Sequence, residues 1–202
     1  MREVIRRVLV PLVQRLRGDQ NLDRLVARGL QLGRGTFVAR TAYLDAGHPW
    51  LITIGDGAGL SPGVIVLTHD ASMCAHTGST RIACVEIGKR VFVGAGAIIL
   101  PGTRIGDDAI VGAGAVVRGF VPPGTLVVGN PAKVAADVAS IAAWHRNAAA
   151  DAPTWPHDGW TLGRGITAAR MREQREALAG GISGYLTGRS APSVPPAGAG
   201  DA

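Results

Sequence analysis

From Ile87 onward an aliphatic residue returns at every sixth position, at Val93, Ile99, Ile105, Val111 and Val117. A glycine follows it at Gly88, Gly94, Gly106 and Gly112, and a small or β-branched residue stands four positions on, at Val91, Ala97, Thr103, Ala109, Ala115 and Val121. This is neither the 3.6-residue period of a helix nor the strict alternation of a half-buried strand; it is an internal repeat. Each hexad reads as a short strand plus a sharp corner: the aliphatic side chain points inward, the small residue keeps the corner tight and glycine relieves the backbone. Three hexads close one triangular coil, and coils stacked at about 4.8 Å bury ladders of like side chains, such as Ile87 over Ile105 and Val93 over Val111. The predicted fold is all-β, a left-handed parallel β-helix.

Upstream the pattern continues at Leu32-Gly33, Val38, Ile54-Gly55 and Leu60, but its phase breaks twice. Val38 and Ile54 are not separated by a multiple of six, so part of 44–50 is an insertion. Val66 and Ile87 are also out of phase, so a loop over about 70–84 leaves the coil and returns, starting directly after His69. The expected organisation is an N-terminal amphipathic helical segment (1–31), the coil domain (32–135), a helical C-terminal extension (136–189) and a Pro/Ala/Gly tail (190–202) too poor in apolar residues to fold.

Composition agrees with this plan. Gly is abundant (29 residues) and aromatics are scarce (4%), which suits a core of small and β-branched side chains. The net charge of +6 implies attraction to anions. No basic run is interleaved with aromatics, so nucleic-acid binding is set aside. In the N-terminal segment Val4, Ile5, Val8, Leu9, Leu12, Val13 and Leu16 fall on helical spacing between arginines. That segment is too short and too charged to span a bilayer and lacks the features of a secretory signal, so a cytoplasmic location is expected. It either caps the open end of the coil or lies peripherally on an anionic membrane face. Cys74 and Cys84 match no metal or disulfide framework and read as reduced bystanders.

THD at 68–70, VEIGKRVFVGAGAIILPGTRIG at 85–106, DDAIVGAGAVV at 107–117 and GNPAKV at 129–134 together resemble the hexapeptide-repeat acetyltransferases. HPWLITIG (48–55) and the HD followed by a TG-containing loop resemble members that acetylate sugars of bacterial exopolysaccharide or lipopolysaccharide. The resemblance implies a homotrimer with clefts between neighbouring coils and acetyl-CoA as co-substrate, lying along them. It places His69 on the catalytic histidine, Ala95 and Ala113 on the corner that meets the pantetheine arm, and Lys133 near the adenosine phosphates. Two positions depart from the family pattern: Phe92 replaces a tryptophan beside the cofactor, and Arg118-Gly119-Phe120 replaces a Thr-Lys-Asp run, leaving Arg118 as the candidate phosphate contact.

Acyl transfer to a hydroxyl needs a base that titrates near neutrality, which an imidazole supplies. His69 takes that role in this reading. Asp70 either positions the imidazole or caps a turn; Asp45 either meets the acceptor hydroxyl or serves a turn. His76 and His48, in the insertions, read as solvent-facing or substrate-contacting. A zinc site of the γ-carbonic-anhydrase kind is the rival chemistry, but His48, His69 and His76 show no close sequence spacing, so no metal is expected. A catalytically silent β-helix scaffold is equally compatible with the repeat alone.

Overall fold

The computed structural model describes residues 20–188. The expectations for 1–19 and for the tail from 189 therefore lie outside the described residues. The chain divides into two units, Met1–Ala139 and Ser140–Ala202.

In the first unit a short helix α1 (Leu22–Ala27) precedes the strands β1 (Gln31–Leu32), β2 (Phe37–Val38), β3 (Tyr43–Leu44), β4 (Ile52–Ile54), β5 (Gly59–Leu60) and β6 (Ile65–Val66). After an excursion containing β7 (His69–Asp70), α2 (Cys74–Thr77) and β8 (Arg81–Ile82), the coil resumes with β9 (Val85–Ile87), β10 (Phe92–Val93), β11 (Ile98–Ile99), β12 (Arg104–Ile105), β13 (Ile110–Val111) and β14 (Val116–Val117). It ends with β15 (Phe120–Val121), β16 (Thr125–Val128) and β17 (Lys133–Asp137). Up to β16, strands consecutive in the coil never pair; only β17 folds back on its predecessor. They pass in rotation to three sheets, ordered β1-β4-β9-β12-β15, β17-β16-β13-β10-β5-β2 and β14-β11-β6-β3. Pairing between successive turns of the coil is parallel, Phe92 to Ile110, Ile98 to Val116 and Arg104 to Glu86, which is the 18-residue coil read from the hexads.

Both insertions fall at the same corner, after the third sheet and before the first. Tyr43–Leu44 still pairs with Ile65–Val66, so the first insertion is confined between β3 and β4 and includes a 3-10 turn at Pro49–Leu51. The second is the hairpin β7–β8, antiparallel with His69 opposite Ile82, carrying α2 at its tip.

The repeating aliphatic position is the core. Ile54, Ile87, Ile105 and Val121 line one wall, Leu60, Val93, Val111 and Val127 the second, and Leu44, Val66, Ile99 and Val117 the third, all buried. Each such side chain contributes about 1.5–3 kcal/mol of hydrophobic stabilisation. The glycine after it serves stacking distance: a Cβ on Gly94 would sit 2.6 Å from the amide nitrogen of Ala113 in the next coil. The corner that needs a left-handed backbone lies two residues further on, at Gly96 (φ 68°) and Gly114 (φ 67°). Arg90 and Asp108 hold the equivalent place without being glycine, and they are joined by a bidentate ion pair with both contacts at 2.6 Å.

The open end at the first coil is closed by α1, whose Leu25 is buried in the core cluster, and by Gln20. The Gln20 amide donates to the Leu44 carbonyl and accepts from the Leu44 N–H, both at 2.6 Å, satisfying the free edge of the third sheet. At the far end the expected boundary at 135 shifts, because β17 folds back antiparallel onto β16 through Asp137.

The second unit is not purely helical. Helices α3 (Val138–Ala150, shared across the boundary) and α4 (Ala168–Ala177) are accompanied by a parallel pair of strands, β18 (Thr154–Pro156) and β19 (Tyr185–Thr187). Trp155 is its buried centre, with Trp160 packed 5.8 Å away, centroid to centroid, and the Arg170 guanidinium 5.1 Å from the Trp160 ring. Among the described residues no helix is long and apolar enough to cross a membrane.

Candidate active site

The corner with the insertions gathers chemistry from neighbouring coils. Asp45 follows β3 directly, and its N–H donates to the Val66 carbonyl, extending the ladder by one residue. Its side chain is wholly buried. Oδ2 accepts from the Thr68 amide at 3.0 Å and the Thr68 hydroxyl at 2.7 Å, and it meets Nδ1 of His69 at 2.5 Å. Oδ1 accepts from the Gly47 amide at 3.0 Å. Burial alone raises a carboxyl pKa, but the Thr68 hydroxyl and amide, the His69 ring and the Gly47 amide outweigh it and lower Asp45 to about 2.

An ionised carboxylate can only accept, so Nδ1 of His69 carries the proton and the neutral ring keeps its lone pair on Nε2. The His69 side chain remains 38% exposed. It lines an open cleft of about 610 Å³ together with Leu67, Asp70, Arg81, Leu100 and Arg118. The site therefore presents a carboxylate-oriented imidazole beside two guanidinium groups.

The other expected residues distribute unevenly. Asp70 lines the cleft but does not orient His69; its Oδ1 accepts from the Ser72 amide at 2.9 Å, and the Ser72 contacts, with Arg81 nearby, lower its pKa. It is the turn residue at the start of the loop. Asp45, expected to meet the acceptor hydroxyl or serve a turn, makes a turn contact through Oδ1 with the Gly47 amide, while its Oδ2 is engaged by Thr68 and His69. Arg118 lies in the cleft with His69, while Ala95 and Ala113 are exposed at a different corner, between the second and third sheets, linked by the Gly114 N–H donating to the Ala95 carbonyl. Phe92 is exposed on the outer face of the second sheet, and Lys133 is exposed on its edge strand β17. His76 is exposed on α2, and Cys74 and Cys84 are free and exposed.

His48 was undervalued by the sequence. Its ring centroid lies 5.6 Å from that of His69 and 5.4 Å from that of Trp50, and its Nδ1 is buried without a hydrogen-bond partner. The lack of close sequence spacing, which argued against a metal, does not carry into space: ligating atoms of Asp45, His48 and His69 all lie within 4.8 Å of one another. The signal available was the register itself. Leu44 opposite Val66 sets Asp45 beneath Leu67 and beside Thr68 and His69.

Residues 84–119 match the family model described as bacterial transferase hexapeptide (six repeats). The chain carries the transferase hexapeptide repeat. Among curated relatives, this hexapeptide-repeat chain is 48% identical over 86 residues to nodulation protein L of Rhizobium meliloti (strain 1021), covering 41% of this chain and 47% of that protein. It is 33% identical over 95 residues to a protein of Escherichia coli (strain K12) named for O-acetyl transfer in lipopolysaccharide biosynthesis, covering 41% and 48%. The chain thus spans about half the length of these relatives. Among solved structures, a maltose O-acetyltransferase from Clostridium difficile 630 aligns with 27% identity over 67% of this chain and 87% of that one, with a TM-score of 0.48.

Proposed function

We propose that this chain is a CoA-dependent O-acyltransferase that moves an acetyl group from acetyl-CoA to a hydroxyl of a sugar or polysaccharide precursor. The observation that carries this reading is the His69 imidazole in the cleft with Nδ1 fixed by buried Asp45. Nε2 of His69 takes the proton of the acceptor hydroxyl as its oxygen bonds to the thioester carbonyl carbon. The oxyanion so formed is met by backbone N–H groups of a coil corner. Collapse breaks the C–S bond, and the departing thiolate recovers the proton from Nε2. Neither cysteine is paired with a base, so no acyl-enzyme is invoked.

The coil is taken as left-handed and the active assembly as a homotrimer. The outward positions support assembly: apart from Gly59, those of the second sheet are Phe37, Phe92, Ile110 and Leu126 and those of the third Tyr43, Ile65, Ile98 and Val116, whereas the first sheet turns out Gln31, Thr53, Glu86 and Arg104 and only in its last strand an exposed aromatic, Phe120. In a trimer the Ala95–Ala113 corner of one chain can lay the pantetheine arm toward His69 of its neighbour, with Phe92 as an apolar wall and Lys133 toward the adenosine phosphates. Arg118, in the His69 cleft, then meets the reacting end or the acceptor rather than the phosphates. Asp70 and His76 remain acceptor-side candidates on the loop.

The test is thiol release from acetyl-CoA with a panel of nucleotide sugars and glycan fragments, comparing wild type with His69→Ala. Loss of roughly 100-fold or more in turnover with an intact fold supports the base. Near-wild-type turnover removes His69 from that role, and no thermal shift with CoA together with no turnover on any acceptor replaces the enzyme reading with a scaffold.

A further inference from the structure

Three side chains at the inserted corner, Asp45, His48 and His69, come from two stretches of chain that the coil register stacks together. Their ligating atoms lie within 4.8 Å of one another, the His48 and His69 rings are tilted by 52° at 5.6 Å, and Nδ1 of His48 is buried with no hydrogen-bond partner. Buried polar atoms are nearly always bonded, and an unpartnered imidazole nitrogen beside a second imidazole and a carboxylate is a donor set with an unused member. Two imidazoles and one carboxylate suit borderline divalent cations, and three protein ligands leave a position for solvent.

We propose that Asp45, His48 and His69 form an inhibitory transition-metal site that takes Zn²⁺ or a similar cation such as Co²⁺. A tetrahedral zinc holds its donors about 3.3 Å apart, so the Asp45–His69 contact of 2.5 Å opens and the wider separations close. The bookkeeping of bonds is simple: His69 changes tautomer through solvent, a proton leaving Nδ1 and one reaching Nε2, the hydrogen bond to Asp45 is broken, and metal–nitrogen and metal–oxygen bonds replace it. The occupied site removes the carboxylate that orients His69 and fixes the ring on the cation. Metal binding stands on the three donors alone; the inhibition rests on the reading of His69 as the base.

The experiment uses the full chain, stripped with a chelator and dialysed. Zn²⁺ is titrated calorimetrically and Co²⁺ by its visible absorption. One Zn²⁺ per chain is expected, with affinity about tenfold or more weaker in His48→Ala. Should that variant misfold, wild-type protein treated with diethylpyrocarbonate and peptide-mapped gives the same answer: Zn²⁺ protects His48 and His69 and leaves His76, His145 and His157 reactive. No binding, unchanged affinity in a folded His48→Ala, or protection centred on the other histidines overturns the site. If acyl transfer is detected, Zn²⁺ suppresses it and chelator restores it; activity unaffected by bound Zn²⁺ overturns the inhibitory role while leaving the acyltransferase reading intact. Metal binding without any acyl transfer overturns the acyltransferase reading alone.

Discussion

Nδ1 of His69 lies 2.5 Å from Oδ2 of Asp45 although 24 residues separate them along the chain. The contact exists because β3 and β6 are neighbours in the third sheet, and each chain end leaves that sheet at the same corner.

Asp45→Asn tests what the contact does. An asparagine can turn its amide N–H₂ toward the ring and favour the tautomer with the proton on Nε2, which is useless as a base. The expected result is a fall of about 100-fold or more in kcat with little change in the KM for acetyl-CoA. Steady-state kinetics decide it, and a loss under about threefold would mean that His69 needs no orienting partner.

The same carboxylate gives a pH signature in stability. Its pKa falls from an ordinary 3.8 to about 2 in the folded protein, so the unfolded chain binds the proton more readily. The stabilisation is complete above the unfolded value and drains away as pH falls from there to about 2; it is on the order of 2 kcal/mol. Thermal melts should show the gap between wild type and Asp45→Asn narrowing across that acid window and holding constant from pH 5 upward.

Legibility in the sequence followed the kind of constraint involved. The hexad at Ile87 to Val117 is a packing rule repeated without interruption, so strand, core wall and coil length could all be read from it. The role given to glycine was only half right: Gly88 and Gly94 answer to the closeness of the next coil, while the left-handed corners sit at Gly96, Gly114, Arg90 and Asp108. The place of His69, at the start of the excursion and in the cleft, was legible from the phase break after Val66. Its partner was not, because Asp45 and His48 reach it only after an insertion of uncertain length is assigned to one corner. The strand pair β18–β19 was missed for a similar reason, since two short segments 31 residues apart pair without any periodic signal.

The two kinds of glycine can be told apart by substitution. Gly94→Ala drives a Cβ to 2.6 Å from the Ala113 nitrogen and 2.8 Å from the Val111 carbonyl oxygen, both backbone atoms held by the ladder. A loss of about 2 kcal/mol or more is expected. Gly96→Ala meets nothing within 4 Å and strains only its φ of 68°, for about 1 kcal/mol. Chemical denaturation of the pair should rank them in that order.

Assembly is tested on the outward apolar face. Phe92, exposed in the single chain and stacked over Gly59, is changed to Glu to place a charge where a neighbour would pack. Analytical ultracentrifugation should show the proposed trimer giving way to smaller species with the coil's circular dichroism retained; an unchanged sedimentation profile would move the interface elsewhere.

Both insertions enter and leave at one corner while the ladders on either side keep their register, Leu44 on Val66 below and Ile54 on Ile87 above. The coil therefore behaves as a chassis with a single docking port: material added there alters what the cleft meets without being transmitted to the walls. Acceptor preference and scaffold stability become separately adjustable properties, and loops exchanged between His69 and Val85 should change the first without disturbing the second.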